Sequence, residues 1–131
     1  MNRRISNKEF PRKYNLEERL IVFSVQILGI AEKLPSSYAG KHFAGQIIRS
    51  GTSPALNYGE AQSAESRKDF IHKMKLSLKE LRETHVSLQI IRRKPLIKDI
   101  RILNSLISEN DELIAIFVKS IATAQKNLTK K

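Results

Sequence analysis

Leu16, Leu20, Phe23, Ile27, Ile30 and Leu34 recur at alternating intervals of four and three residues, which lines them along one face of a helix. The spacing predicts a first helix over Leu16–Leu34, ended by Pro35, Ser36 and Ser37. A second apolar set, Ile21, Val22, Val25 and Leu28, falls on its other faces. A helix that is apolar nearly all round is covered on more than one side. In a small bundle, where each helix normally keeps a wet face, this points to contacts between subunits.

The next helical pattern begins near Tyr38 to His42 and runs toward Gln62, with Pro54 inside it. Proline cannot donate to the carbonyl four residues back and crowds it, so the helix either kinks or restarts with Ser53 as its cap. One kinked helix is the simpler expectation, since Gly51 loosens the same turn. On this helix Gln46, Arg49, Ser50, Ser53, Asn57 and Glu60 share an arc of about 100°. Directly beside that arc lie Phe43, Ile47, Pro54 and Tyr58. Two readings stand: an ordinary solvated face, or a semi-buried seam in which short polar groups hydrogen-bond neighbouring helices.

Ser66 and Asp69 have capping-box spacing at the head of a third helix, with Asp in place of the usual Glu. Its inner face reads Phe70, Met74, Ser77, Leu81, Thr84 and Leu88, and its exterior is cationic through Lys68, Lys73, Lys75, Lys79 and Arg82. It should end near Arg93, because the following Lys94-Pro95 disfavours continuation. A fourth helix is predicted over Leu96–Leu128. There Ile100, Leu103, Ile107, Asn110, Ile114, Phe117, Ile121, Ala124 and Leu128 keep a 3-4 spacing, with Asn110 its one polar member. Four long amphipathic helices with short connections make an all-α, antiparallel up-down-up-down bundle. Residues 16–128 form that bundle, after a flexible basic arm over 1–15 and before a basic tail over 129–131.

Length and composition agree with this. A chain of 131 residues is one domain that buries roughly two thirds of its unfolded surface. With no cysteine, neither a disulfide framework nor a thiolate metal site stabilises it, which suits a reducing compartment. The longest apolar run, Leu20 to Ala31, is interrupted by Ser24 and Gln26 and is too short to span a membrane. It follows Glu17 and Glu18 with no small-residue cleavage site, so the expected location is the cytoplasm.

Charge changes the picture more. Lys and Arg total 24 against 13 Asp and Glu, a net charge of +11 and an isoelectric point near 10.1. Such an excess favours a polyanionic partner, nucleic acid before an anionic surface, although charge alone governs encounter and solubility rather than specificity. Arg92, Arg93, Lys94, Lys98 and Arg101 cluster around the third connection. The first two complement the dipole at the end of a helix. Lys98 and Arg101 sit at the opening of the next helix, where the dipole disfavours cations, so this corner is the candidate nucleic-acid-binding site.

The sequence carries no glycine-rich phosphate loop, and His42, His72 and His85 are scattered without the Glu-x-x-His pairs of a di-iron bundle. Ser77, Glu80 and His85 could be assembled into a triad only arbitrarily, and Glu80 and Glu83 most simply pair with Lys79 and Arg82 on their own helix. No catalytic, cofactor-binding or metal-binding residue is assigned, and the chain reads as a non-enzyme.

The stretch His42–Glu83 resembles the bacterial four-helix-bundle proteins of the 23S rRNA intervening sequence, also catalogued as the S23 ribosomal protein family. Gln46, Arg49, Ser50, Ser53, Asn57 and Glu60 match the first part of that family's motif. Lys68, Asp69, Phe70, Ser77, Glu80 and Glu83 match the second. The sequence departs from the pattern at Pro54 and at Gly59-Glu60-Ala61. The resemblance implies a four-helix bundle that assembles into a ring-like homopentamer, encoded by a gene that can lie within rRNA intervening sequences. It also implies structural roles for Gln46, Arg49, Ser50, Ser53, Asn57, Glu60, Asp69, Ser77, Glu80 and Glu83. Related basic bundles are accessory proteins to the reverse transcriptases of diversity-generating retroelements. Two functions follow as expectations: an oligomer that binds RNA or other nucleic acid electrostatically, or a protein-interaction scaffold or accessory subunit with no nucleic-acid role.

Overall fold

The computed structural model describes residues 15–129, so the basic arm and the end of the tail lie outside the described residues. Four helices follow in order: α1 Leu16–Lys33, α2 Tyr38–Gln62, α3 Arg67–Arg93 and α4 Ile100–Thr129. No strand occurs among the described residues.

Each of the first three helices starts on a short polar side chain that satisfies an orphan amide. Asn15 Oδ1 accepts from Glu18 N at 2.9 Å, Ser37 Oγ from Gly40 N at 3.1 Å, and Ser66 Oγ from Asp69 N at 3.0 Å. Glu17 and Glu18 in the first turn of α1, and Asp69 in that of α3, also complement the helix dipole.

α2 runs through Pro54 as one helix and does not restart there. Ser53 is not a cap: its Oγ bonds back to Arg49 O at 2.7 Å. The cost of the proline is offset by packing. Gly51 and Pro54 are both buried, and Ile27 of α1 lies so close to Gly51 that a Cβ there would stand 2.8 Å from Ile27 Cγ1. The Pro54 carbonyl accepts from Ser77 Oγ of α3 at 3.3 Å.

α4 starts four residues later than its apolar pattern predicts. Asp99 Oδ1 accepts from Arg101 N at 3.1 Å and caps the true start, while Leu96 N bonds back to Ile91 O at 2.8 Å. Leu96 and Ile97 instead close the end of the bundle, Ile97 being buried. The 3-4 pattern holds inside α4, but its outermost members Ile100 and Leu128 are exposed, and Leu106 and Leu113 join the core in their place.

Consecutive helices pack side by side, and α1 also meets α4 along the thinnest of the four seams, closing an up-down-up-down bundle. Its core holds Leu20, Phe23 and Ile27 of α1, Ile47 of α2, Met74, Leu81 and Leu88 of α3, and Leu103, Leu113 and Phe117 of α4. Burying a side chain such as Phe23 or Phe117 contributes about 1.5–3 kcal/mol.

Candidate nucleic-acid interface

The polar stripe of α2 faces α3 and forms a seam. Ser50 is buried, and Thr84 Oγ1 shares its one hydroxyl proton between Ser50 Oγ and Glu80 O, each at 2.9 Å. Further out, Arg49 donates to Glu80 Oε1 at 2.9 Å and to Glu83 Oε1 at 2.7 Å, its own side chain half exposed. These bonds, that to Glu83 first, raise the pKa of the guanidinium. Glu80 and Glu83 therefore serve a neighbouring helix, contrary to the expectation that they pair with Lys79 and Arg82. At the other end of the seam Lys73 Nζ lies 2.6 Å from Glu60 Oε1, a bond that raises the lysine's pKa. Gln46, Ser53 and Asn57 are half-buried, whereas Arg49 and Glu60 are exposed and ion-paired.

A second polar group lies on the thin α1–α4 seam. Arg19 is buried and donates through Nε to Glu109 Oε2 at 2.8 Å and through Nη2 to Glu109 Oε1 at 2.7 Å. Nη2 also reaches Glu112 Oε1 at 2.9 Å. The Glu109 hydrogen bonds hold the arginine's pKa above its ordinary value despite burial. Sequence reading missed this cluster, yet its signal was present. Arg19 continues the core spacing Leu16-Arg19-Phe23, and Glu109 stands midway in Leu106-Glu109-Leu113. Asn110, the expected polar member of α4, is fully buried and donates through Nδ2 to Leu81 O at 3.2 Å, while its Oδ1 has no partner among the described residues.

Ser77, Glu80 and His85 do not converge. Ser77 is held by Pro54 O, Glu80 by Arg49, and His85 Nδ1 lies 3.2 Å from Asp111 Oδ1 without hydrogen-bond alignment. Among the described residues, no three His, Asp or Glu side chains group as metal ligands, and no helix is long and apolar enough to cross a membrane.

The basic corner at the α3–α4 connection divides into inward and outward members. Arg92 turns inward, donating to Asn104 Oδ1 at 2.8 Å and Gln89 Oε1 at 2.9 Å. Arg93, Lys94 and Lys98 are exposed and have no acidic partner among the described residues. Arg101, its side chain 89% exposed, keeps only a loose 3.5 Å contact with Asp99. Lys98 precedes α4, so only Arg101 sits in the helix's first turn. Four cations thus project from one end of the bundle beside an open depression of about 510 Å³ lined by His85, Val86, Gln89, Ile90, Arg93 and Lys94.

The fold and these seams define a basic, all-α bundle whose motif residues largely join helices. The family model described as 23S rRNA-intervening sequence protein matches residues 12–119, and the chain belongs to that family. It is similar to the crystal structure of a protein of unknown function from the S23 ribosomal protein family of Bacteroides thetaiotaomicron. The two share 30% identity and a TM-score of 0.74, over 80% of this chain and 96% of that one. No curated protein matches the chain.

Proposed function

We propose that this chain is a non-enzymatic cytoplasmic protein that self-associates and binds RNA or another nucleic acid through the outward cations Arg93, Lys94, Lys98 and Arg101. The observation that carries the reading is the exposure of these four side chains at one corner while the arginines of the seams, Arg19 and Arg49, are bound to carboxylates. Exposed cations grouped around one helix connection, three of them without an acidic partner among the described residues, are suited to phosphate oxygens. The polar groups of the two seams are engaged between helices, and of the described aromatics all but the exposed Tyr38 are partly or fully buried, which leaves little for base stacking. Binding is therefore electrostatic and tolerant of sequence. Titrating labelled single-stranded RNA and duplex DNA across a salt series tests it: affinity should be measurable at low salt and fall steeply as salt rises. No binding at low salt, or binding indifferent to salt, sinks the proposal.

A second reading, a scaffold or accessory subunit for another protein, draws on the apolar side chains that α3 exposes, Val86 and Ile90. Recovery of one protein in stoichiometric amount after nuclease treatment would favour it.

A further inference from the structure

Tyr38 is the first residue of α2, and its ring is the aromatic that the described residues leave open, at 90% exposure. Its backbone is nonetheless fixed. Ser37 Oγ accepts from Gly40 N at 3.1 Å, and Ser37 O accepts from Lys41 N at 2.9 Å. Gly40 is buried so close to Pro35 that a Cβ there would strike the Pro35 carbonyl. An exposed ring alone needs no explanation. What sets this one apart is where the register of α2 on α3 places it.

Eleven residues advance a helix by about three turns. Tyr38, Arg49 and Glu60 follow at that interval and so share one edge of α2, and both Arg49 and Glu60 are bonded to α3. On α3 the same step leads from Glu83, which Arg49 holds at 2.7 Å, to Lys94, whose backbone is still helical at φ −68° and ψ −29°. The two helices run antiparallel. Three turns back from Arg49 and three turns on from Glu83 therefore bring Tyr38 level with Lys94 across the seam. A second pair agrees: sixteen residues back from Pro54 and sixteen on from Ser77, which are hydrogen-bonded, set Tyr38 level with Arg93. Packed helix axes stand about 8–10 Å apart, so the ring borders the outward cations and the depression that Ile90, Arg93 and Lys94 help to line. Lys41, one turn on in α2, is also exposed, and no acid stands in the first turn of that helix.

We infer that Tyr38 stacks one unpaired base of a strand whose phosphates lie on Arg93 and Lys94, which makes single-stranded nucleic acid the ligand of this corner. The inference rests on the nucleic-acid reading above and adds the class of ligand to it. A duplex keeps its base faces stacked on one another and offers the corner phosphates alone, whereas a single strand can turn a base out onto a ring. Every base has a π face, so the stack adds affinity and leaves binding tolerant of sequence.

The test uses the full chain and two labelled oligomers of equal length and charge. One is a single-stranded oligouridylate; the other is its abasic counterpart, which keeps the sugar–phosphate backbone and lacks the bases. The wild type should bind the oligouridylate more tightly by about 5- to 150-fold, the range for one base stacked on an aromatic side chain. Tyr38→Ala should lose that margin while keeping the wild-type salt slope and the wild-type affinity for the abasic strand and for duplex. Tyr38→Phe should keep the margin. Circular dichroism checks the fold of each variant, and the comparison of the two oligomers on the wild type needs no variant at all. Equal wild-type affinity for both oligomers overturns the inference and leaves the electrostatic corner standing, as does a Tyr38→Ala chain that binds oligouridylate like the wild type. A variant weakened equally toward both oligomers also overturns it, since the ring would then act through the fold. A wild type that binds neither oligomer at low salt removes the corner itself, so the two readings fail separately.

Discussion

The sharpest stability prediction concerns Glu109→Ala. Arg19 and Glu109 are both almost fully excluded from solvent and are joined by two hydrogen bonds of 2.8 and 2.7 Å. Truncating one partner of such a pair leaves the other charge buried and uncompensated, at a typical cost of about 3–5 kcal/mol. Here Glu112 remains 2.9 Å from Nη2 and is partly solvated, so it retains part of the compensation. The expected loss is about 3 kcal/mol, the low end of that range. Against a total stability of about 5–15 kcal/mol this is a large fraction. Removing both charges, as Arg19→Met with Glu109→Leu, should cost far less than the sum of the single changes, because no orphaned ion remains. Urea unfolding at one fixed protein concentration measures all four corners of the cycle and keeps assembly constant. The cluster lies on the thinnest seam, so amide exchange in Glu109→Ala should accelerate first in α1. A loss below about 1 kcal/mol, in the range of exposed pairs, or a double variant as unstable as the sum, would refute the reasoning.

Three other changes test the packing and polar seams. Gly51→Ala should destabilise by about 1–3 kcal/mol, since its Cβ would press on Ile27 Cγ1 at 2.8 Å, whereas Gly59→Ala meets nothing within 4 Å and should stabilise by about 0.5–1 kcal/mol. Chemical denaturation that ranks them the other way would contradict the α1–α2 packing. Thr84→Val takes away the donor to the buried Ser50 Oγ and should cost about 1–3 kcal/mol, less if Ser50 is changed to Ala as well. Burial first, and then the charge of Glu17, holds the pKa of Tyr58 above 10.0. A raised folded value means that this contribution is present below pH 10.0 and is lost as pH climbs through the folded value. The alkaline decline in melting temperature should therefore be smaller in Tyr58→Phe, and identical declines would count against the assigned environment.

Apolar periodicity was enough to read the helices and their order, because burial of one face dominates their stability. It failed at the start of α4, where Leu96 and Ile97 continue the pattern but pack as a plug while Asp99 caps the true helix. The polar stripe of α2 was legible as a pattern, yet its two meanings could not be separated along the chain. What separates them is Thr84 and Glu83, more than thirty residues away. Arg19 and Glu109 stand ninety residues apart, and charges at core positions are read by default as breaks in the apolar face, so the pair emerged only once α1 and α4 lay side by side. Of the basic corner, the clustering was visible, whereas the inward turn of Arg92 depends on Asn104 of the next helix.

The most direct test of the account compares the salt dependence of RNA binding in the wild type and in a chain with Arg93, Lys94, Lys98 and Arg101 all changed to Ala. These residues are exposed and hold no core contact, so the fold should persist, as circular dichroism can establish. If the four cations neutralise four phosphates of a single strand, the variant's log K against log salt slope should be shallower by about 2.8. Its affinity at low salt should fall by orders of magnitude. A folded variant that binds with the wild-type affinity and slope would contradict the assignment of nucleic-acid binding to this corner.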